Sequence, residues 1–182
     1  MQKLNQKYIN SVVKKALYED LKPGGDITTN LIKLKNKKSK AIILAKQSGV
    51  IAGINFCKTA FKLVGKETNF KIKIKDGKKI KKNKVIAEIK ANTHTILVAE
   101  RTALNFLNHA SGIATLTNRF VSKVNKKTKI CCTRKTTPNL RLLEKYAVKK
   151  GGGHNHRYNL SDEILIKDKN IIIEKDFKRL IK

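Results

Sequence analysis

Arginine is scarce in this chain, so the places where it falls are informative. Of the 42 basic residues 36 are lysine and six are arginine; all six lie beyond residue 95, and four of them, Arg101, Arg134, Arg141 and Arg157, fall in or beside segments that read as strand ends and helix starts. A guanidinium offers a planar fork that grips a carboxylate or phosphate through two parallel hydrogen bonds, which a lysine ammonium cannot imitate. The run Thr133-Arg134-Lys135-Thr136-Thr137-Pro138 reads as the end of a strand passing into the start of a helix, the edge on which barrels and open sheets hold ligands. Gly151-Gly152-Gly153-His154-Asn155-His156-Arg157 adds exposed backbone amides, imidazoles and another guanidinium, and Lys167 closes the next apolar stretch. Three successive segments thus direct cationic groups at one rim, as a site for a compact polyanion requires. Plainer readings exist for each piece. A glycine triplet can be a helix C-cap, and Arg101 can pair with Glu100 or face water. His94 and His109 read as surface or core residues without a role.

The elements that must position this rim are legible from periodicity. Between Asn5 and Leu21 the residues Ile9, Val12, Val13, Ala16 and Leu17 recur at helical spacing and mark one apolar face, which ends at Pro23-Gly24-Gly25. Ala41 to Lys46, Val50 to Ala52, Phe70 to Ile74 and Lys84 to Lys90 are short and β-branched and read as strands, with a helix over Ile54 to Val64 lying on them. Lys71 to Lys84 alternates isoleucine with lysine before a turn at Asp76-Gly77, which predicts a half-buried strand with a solvated face. Two helices follow, Thr95 to Ala110 and Gly112 to Asn125. Lys129 to Thr133 reads as a strand. Thr137 is the N-cap, with Pro138 at the first turn, of a helix whose stripe is Leu140, Leu143, Tyr146 and Ala147 and whose C-cap is Gly151. Ile164 to Lys167 reads as the next strand, and strand, helix, strand implies parallel pairing.

Composition excludes several classes. An apolar fraction of 40% and a charged fraction of 30% suit a globular protein, and the longest apolar run, Ala41 to Ala45, cannot span a bilayer. The N-terminal MQKLNQKYIN carries no signal or transit pattern, so the expected location is the cytoplasm. Cys57, Cys131 and Cys132 have neither disulfide-framework nor metal-site spacing and read as small buried apolar residues, with no metal ligand set. A net charge of +29 would ordinarily raise polyanion binding. Because the lysines are spread over nearly every segment, a compositional bias accounts for them, and nucleic acid is not the expected partner.

Four ordered segments carry a family likeness: EDLKPGGDITT (Glu19 to Thr29), ERTALNFLNHASGIAT (Glu100 to Thr115), TRKTTPNLRLLEKYAVKKGGGHNHR (Thr133 to Arg157) and ILIKD (Ile164 to Asp168). On these residues the chain resembles the quinolinate phosphoribosyltransferases over essentially its whole length. The resemblance implies an α/β fold, an N-terminal α/β sandwich over residues 1–107 followed by the first part of an open (β/α) barrel over 108–182. It implies a homodimer with shared active sites, and a reaction joining quinolinate to phosphoribosyl pyrophosphate that yields nicotinate mononucleotide, carbon dioxide and pyrophosphate for NAD biosynthesis. Mg2+ would accompany the phosphoribosyl pyrophosphate. Arg134, Lys135, His156, Arg157 and Lys167 would line the pocket, Thr133 would assist, Arg101 would reach in from the neighbouring subunit, and Lys135 would be the catalytic residue.

The chain departs from the family pattern at Asp168-Lys169-Asn170, where a histidine is usual third, and at Cys132, where an aspartate is usual. A full barrel takes about 250 residues, and residues 110–182 accommodate about two strand-helix units. The expectation is therefore a barrel that is incomplete at its C-terminus, either completed by a second polypeptide or inactive. Alternatives are a relative linked to molybdenum transport and a basic nucleic-acid-binding protein, the latter predicting steeply salt-dependent affinity.

Overall fold

The computed structural model describes residues 4–32, 34, 37–125 and 127–173. The first amphipathic stripe forms helix α1, Gln6–Leu21, whose N-cap Asn5 accepts the Tyr8 backbone N–H at 2.8 Å through its side chain. Ile9, Val13 and Leu17, four apart, are its buried residues. A short helix α2, Ile27–Leu31, follows; Asp26 caps it, accepting the Thr29 N–H at 2.9 Å.

Three antiparallel strands make the main sheet: β1 (Lys38–Leu44), β3 (Asn69–Ile72) and β5 (Val85–Asn92), in the order β1-β5-β3. Ile89 of the central strand is the register partner of Ala41 on one side and Phe70 on the other. Strands β2 (Gly49–Val50) and β4 (Lys79–Ile80) pair separately. The Lys71 to Lys84 segment is therefore not one strand. Its two halves contribute to β3 and β4, which pair with different strands, and Asp76 between them accepts the N–H groups of Gly53 and Ile54, each at 3.1 Å, at the start of helix α3 (Ile54–Val64).

Helix α3 lies against α4, Thr93–Val121, with the Phe56 and Phe106 rings 5.3 Å apart. Gly53 lets them meet. Its φ of 88° is left-handed, and a Cβ there would stand 3.0 Å from the Ala110 Cβ. One hydrophobic core runs from Ile9 and Val13 through Ile43, Phe61 and Ile89 to Leu107, Ala114, Leu143 and Ala147.

Several expectations require correction. Thr95 to Ala110 and Gly112 to Val121 belong to one continuous helix, which ends four residues before Asn125, because the side of Gly112 is open and the helix on either side of it is anchored by buried Phe106, Leu107, Ala110 and Ala114. An interior glycine costs about 1 kcal/mol relative to alanine, and that packing outweighs it. Helix α5 runs from Arg141 to Lys150 with Leu140 as its N-cap, not Thr137, since Pro138 to Leu140 make a turn in which Asn139 has φ 64°. Gly151 is the C-cap, as expected. Lys129 to Thr133 is not a ladder strand; it contributes one parallel bridge, Cys131 with His154. Among the described residues Ile164 to Lys167 pairs with no strand, and Ile164 is 88% exposed; it leads into a short helix α6, Asp168–Ile173. Of the cysteines only Cys57 is buried, Cys131 being exposed and Cys132 half-buried. The Cys57 thiol is pushed up to about 12 by burial and then by the charge of Asp76. No described helix is long and apolar enough to cross a membrane.

Candidate active site

Two loops, the arms of the site, meet at the bridge. The His154 N–H donates to the Ile130 carbonyl at 2.8 Å and the Cys132 N–H to the His154 carbonyl at 3.0 Å. This lays the arm that continues into Thr133-Arg134-Lys135 beside the arm that continues into His156-Arg157. The glycines make the approach possible: a Cβ on Gly153 would lie 2.7 Å from Thr117 Cγ2, and one on Gly151 would lie 2.7 Å from Thr117 Cβ. The second arm thus turns directly against α4.

Helix α5 holds both arms with charged side chains. The Arg141 Nε donates to Thr136 Oγ1 at 3.0 Å and its Nη1 to the Tyr158 carbonyl at 3.1 Å. Glu144, buried, accepts the Thr137 N–H at 3.3 Å on each carboxylate oxygen and faces His109 Nε2 of α4 at 2.9 Å. Lys145, 1% exposed, donates from Nζ to Cys132 Sγ at 3.2 Å and to the His156 carbonyl at 2.9 Å. Helix α5 is itself tied to the sheet domain by the Tyr146 hydroxyl, which donates to Asp76 Oδ2 at 2.8 Å. Burial first, and the adjacent Asp76 charge second, push the Tyr146 phenol well above the usual tyrosine range.

Within the first arm Thr133 Oγ1 accepts the Lys135 N–H at 3.2 Å, and the Arg134 carbonyl accepts the Thr136 N–H at 3.0 Å. Lys135 is exposed and Arg134 half-buried. In the second arm His156 Nδ1 accepts the Arg157 N–H at 2.8 Å and stands 3.5 Å from Glu163 Oε2. These two contacts compete for one nitrogen. The shorter, in which Nδ1 accepts, places the ring proton on Nε2. Arg157 Nη1 donates to the Glu163 carbonyl at 3.1 Å, which orients the guanidinium along the arm.

Five of the predicted site residues, Thr133, Arg134, Lys135, His156 and Arg157, thus sit on two adjoining arms. Arg101, exposed on α4, and Lys167, whose N–H donates to Asn170 Oδ1 at 3.0 Å, lie outside them. Among the described residues no hydrogen bond or ion pair joins either side chain to the arms. Sequence reasoning passed over Glu144, Lys145 and His109. Glu144 and Lys145 directly follow Leu142 and Leu143, and a charged pair on the flank of a buried stripe was the available signal. His109 had none, because its partner lies 35 residues away.

The arms present ammonium, guanidinium, imidazole and hydroxyl groups. Among the described residues no group of three or more His, Cys, Asp or Glu comes together. Such groups have the chemistry to receive an anion and do not fit a resident Mg2+, which takes oxygen ligands.

The family model for the quinolinate phosphoribosyl transferase N-terminal domain matches residues 26–111, and that for the C-terminal domain matches residues 113–182. A probable nicotinate-nucleotide pyrophosphorylase [carboxylating] of Methanocaldococcus jannaschii is 46% identical over 169 residues, covering 91% of this chain and 58% of its own length. Its counterpart from Bacillus subtilis is 40% identical, covering 92% of this chain and 58% of its own length. The crystal structure of NadC from Streptococcus pyogenes superposes with a TM-score of 0.93 at 40% identity, over 98% of this chain and 64% of that one. The chain therefore spans somewhat under two thirds of the length of these relatives. With both domain models matched in order and the fold superposing on a solved relative over 98% of its length, the chain belongs to the quinolinate phosphoribosyltransferase family.

Proposed function

We propose that the protein transfers the phosphoribosyl group of phosphoribosyl pyrophosphate to quinolinate with decarboxylation, as a nicotinate-nucleotide diphosphorylase (carboxylating). The observation that carries this reading is the pairing of the two arms, which sets Arg134 and Lys135 beside His156 and Arg157. Quinolinate bears two adjacent carboxylates whose mutual repulsion must be offset by fixed cations, and preformed cations do this without reorganising as the reaction proceeds.

In this reading Arg157, with Arg101 from the neighbouring subunit of a homodimer, clamps the carboxylates. Arg134, Lys135 and Lys167 steady the pyridine acid and the departing pyrophosphate, with Lys135 the catalytic residue and Thr133 and His156 supplying further hydrogen bonds. The ring nitrogen forms a bond to the ribose C1 as the C1–oxygen bond to pyrophosphate breaks. The adjacent ring carbon then loses carbon dioxide and takes a proton. Holding both reactants in register supplies the other part of the rate enhancement. Mg2+ belongs to the phosphoribosyl pyrophosphate, whose oxygens would hold it, and the arms contribute no ligand to it. A cytoplasmic location fits such soluble substrates.

The test is phosphoribosyl-pyrophosphate-dependent loss of quinolinate with release of pyrophosphate, together with calorimetric titration of quinolinate alone. Saturable binding that Arg157→Ala abolishes supports the reading. Absence of both binding and turnover removes it.

A further inference from the structure

We infer that Lys145 is a positioning residue whose single buried ammonium sets the spacing between the two cationic arms. The inference rests on the reading of those arms as the pyridine dicarboxylate site, and extends it to a residue that touches no substrate.

The geometry is specific. Lys145 is 1% exposed, and its Nζ reaches one acceptor on each arm, Cys132 Sγ at 3.2 Å and the His156 carbonyl at 2.9 Å. Cys132 immediately precedes Thr133-Arg134-Lys135, and His156 immediately precedes Arg157. Cys132 Sγ in turn donates to Asn155 Oδ1 at 3.3 Å, a second tie between the arms. A lysine ammonium has three donors on one point, so it can hold two acceptors at a set separation.

Such burial is costly unless the charge is well partnered. Among the described residues no carboxylate forms an ion pair with Lys145; the adjacent Glu144 is committed to His109 and to the Thr137 N–H. The ammonium therefore depends on two neutral acceptors, and displacing either arm would strip a buried charge of a partner. Each arm is held in place by the other's contribution to one cation. The backbone bonds at the bridge, Cys132 N–H to the His154 carbonyl and His154 N–H to the Ile130 carbonyl, are the amides that report on this coupling.

The experiment uses the purified full chain and its Lys145→Met, Lys145→Arg and Cys132→Ala variants. Methionine keeps the length and apolar stem and removes the charge and donors. Hydrogen exchange read by mass spectrometry should show protection falling together in segments 130–137 and 154–158 of Lys145→Met, with α4 and β5 unchanged, and recovering in part in Lys145→Arg. The kcat/KM for quinolinate should fall about 100-fold, the rate loss expected when reacting groups are misplaced by about 1 Å, and quinolinate affinity should fall with it. Cys132→Ala, which leaves the ammonium in place with one acceptor, should loosen both segments and weaken quinolinate roughly 10-fold, which keeps the test decisive if Lys145→Met does not fold. Unchanged exchange, loss confined to one arm, or quinolinate affinity equal to the parent chain in either variant would overturn the inference. If the parent chain binds no quinolinate, the substrate reading falls by itself, and the paired loss of exchange protection still decides the role of Lys145.

Discussion

Replacing Tyr146 by phenylalanine isolates the contact that fastens helix α5, and with it both arms, to the sheet domain. The substitution deletes one hydroxyl and leaves the ring, over which Lys150 Nζ sits 5.1 Å from the centroid. The lost interaction is a 2.8 Å hydrogen bond to the Asp76 carboxylate. Hydrogen bonds to charged groups contribute roughly 1.5–3 kcal/mol net. Because Asp76 keeps the Gly53 and Ile54 N–H donors, the carboxylate is not orphaned, and a cost of about 2 kcal/mol is expected. Urea unfolding at pH 7, with a slope of about 2 kcal/mol/M, should then show the midpoint falling by about 1 M.

The pH dependence of that difference supplies a second, independent check. The folded protein holds the Tyr146 proton more tightly than the unfolded chain does, so the stability this group contributes is complete below the ordinary tyrosine value of 10.0 and declines as pH rises above it. The gap between the parent and Tyr146→Phe should therefore be constant from pH 7 to 9 and narrow beyond pH 10. A midpoint change below about 0.2 M at pH 7, or a gap that widens above pH 10, would refute the assignment of Tyr146 as the fastening.

Other perturbations test the remaining parts. Lys135→Ala or Arg157→Ala should each lower kcat/KM by roughly 10²-fold, corresponding to about 3 kcal/mol of transition-state stabilisation, with unfolding midpoints close to the parent's. Gly151→Ala must accommodate a Cβ 2.7 Å from Thr117 Cβ, and thermal unfolding should register about 1–3 kcal/mol of destabilisation. Glu144→Gln removes the charge that faces His109 and holds the Thr137 N–H; chemical denaturation should show a loss of about 1–3 kcal/mol, with faster proteolysis in segment 133–139.

Local chemistry determined much of what the chain does not share with its neighbours in space. Helices α1 and α3 follow from apolar spacing bounded by Asn5 and by Gly53 and Gly65, and the fit is close because caps and periodicity are properties of consecutive residues. The cationic arms were legible because a scarce residue type recurs beside glycine and proline turns. Partner choice was not legible. Asp76-Gly77 reads as a turn and no more, yet the segments on either side pair with different strands and the aspartate caps α3 and receives Tyr146, 70 residues on. Gly112 reads as a break, yet α4 runs through it because packing along the rest of the helix outweighs one residue's propensity. Lys145 carries no mark in the sequence among 36 lysines, and only the fold buries it against Cys132 Sγ and the His156 carbonyl. Which groups an ammonium can reach depends on where distant loops come to rest, a quantity set by the core as a whole and carried by no short stretch of sequence.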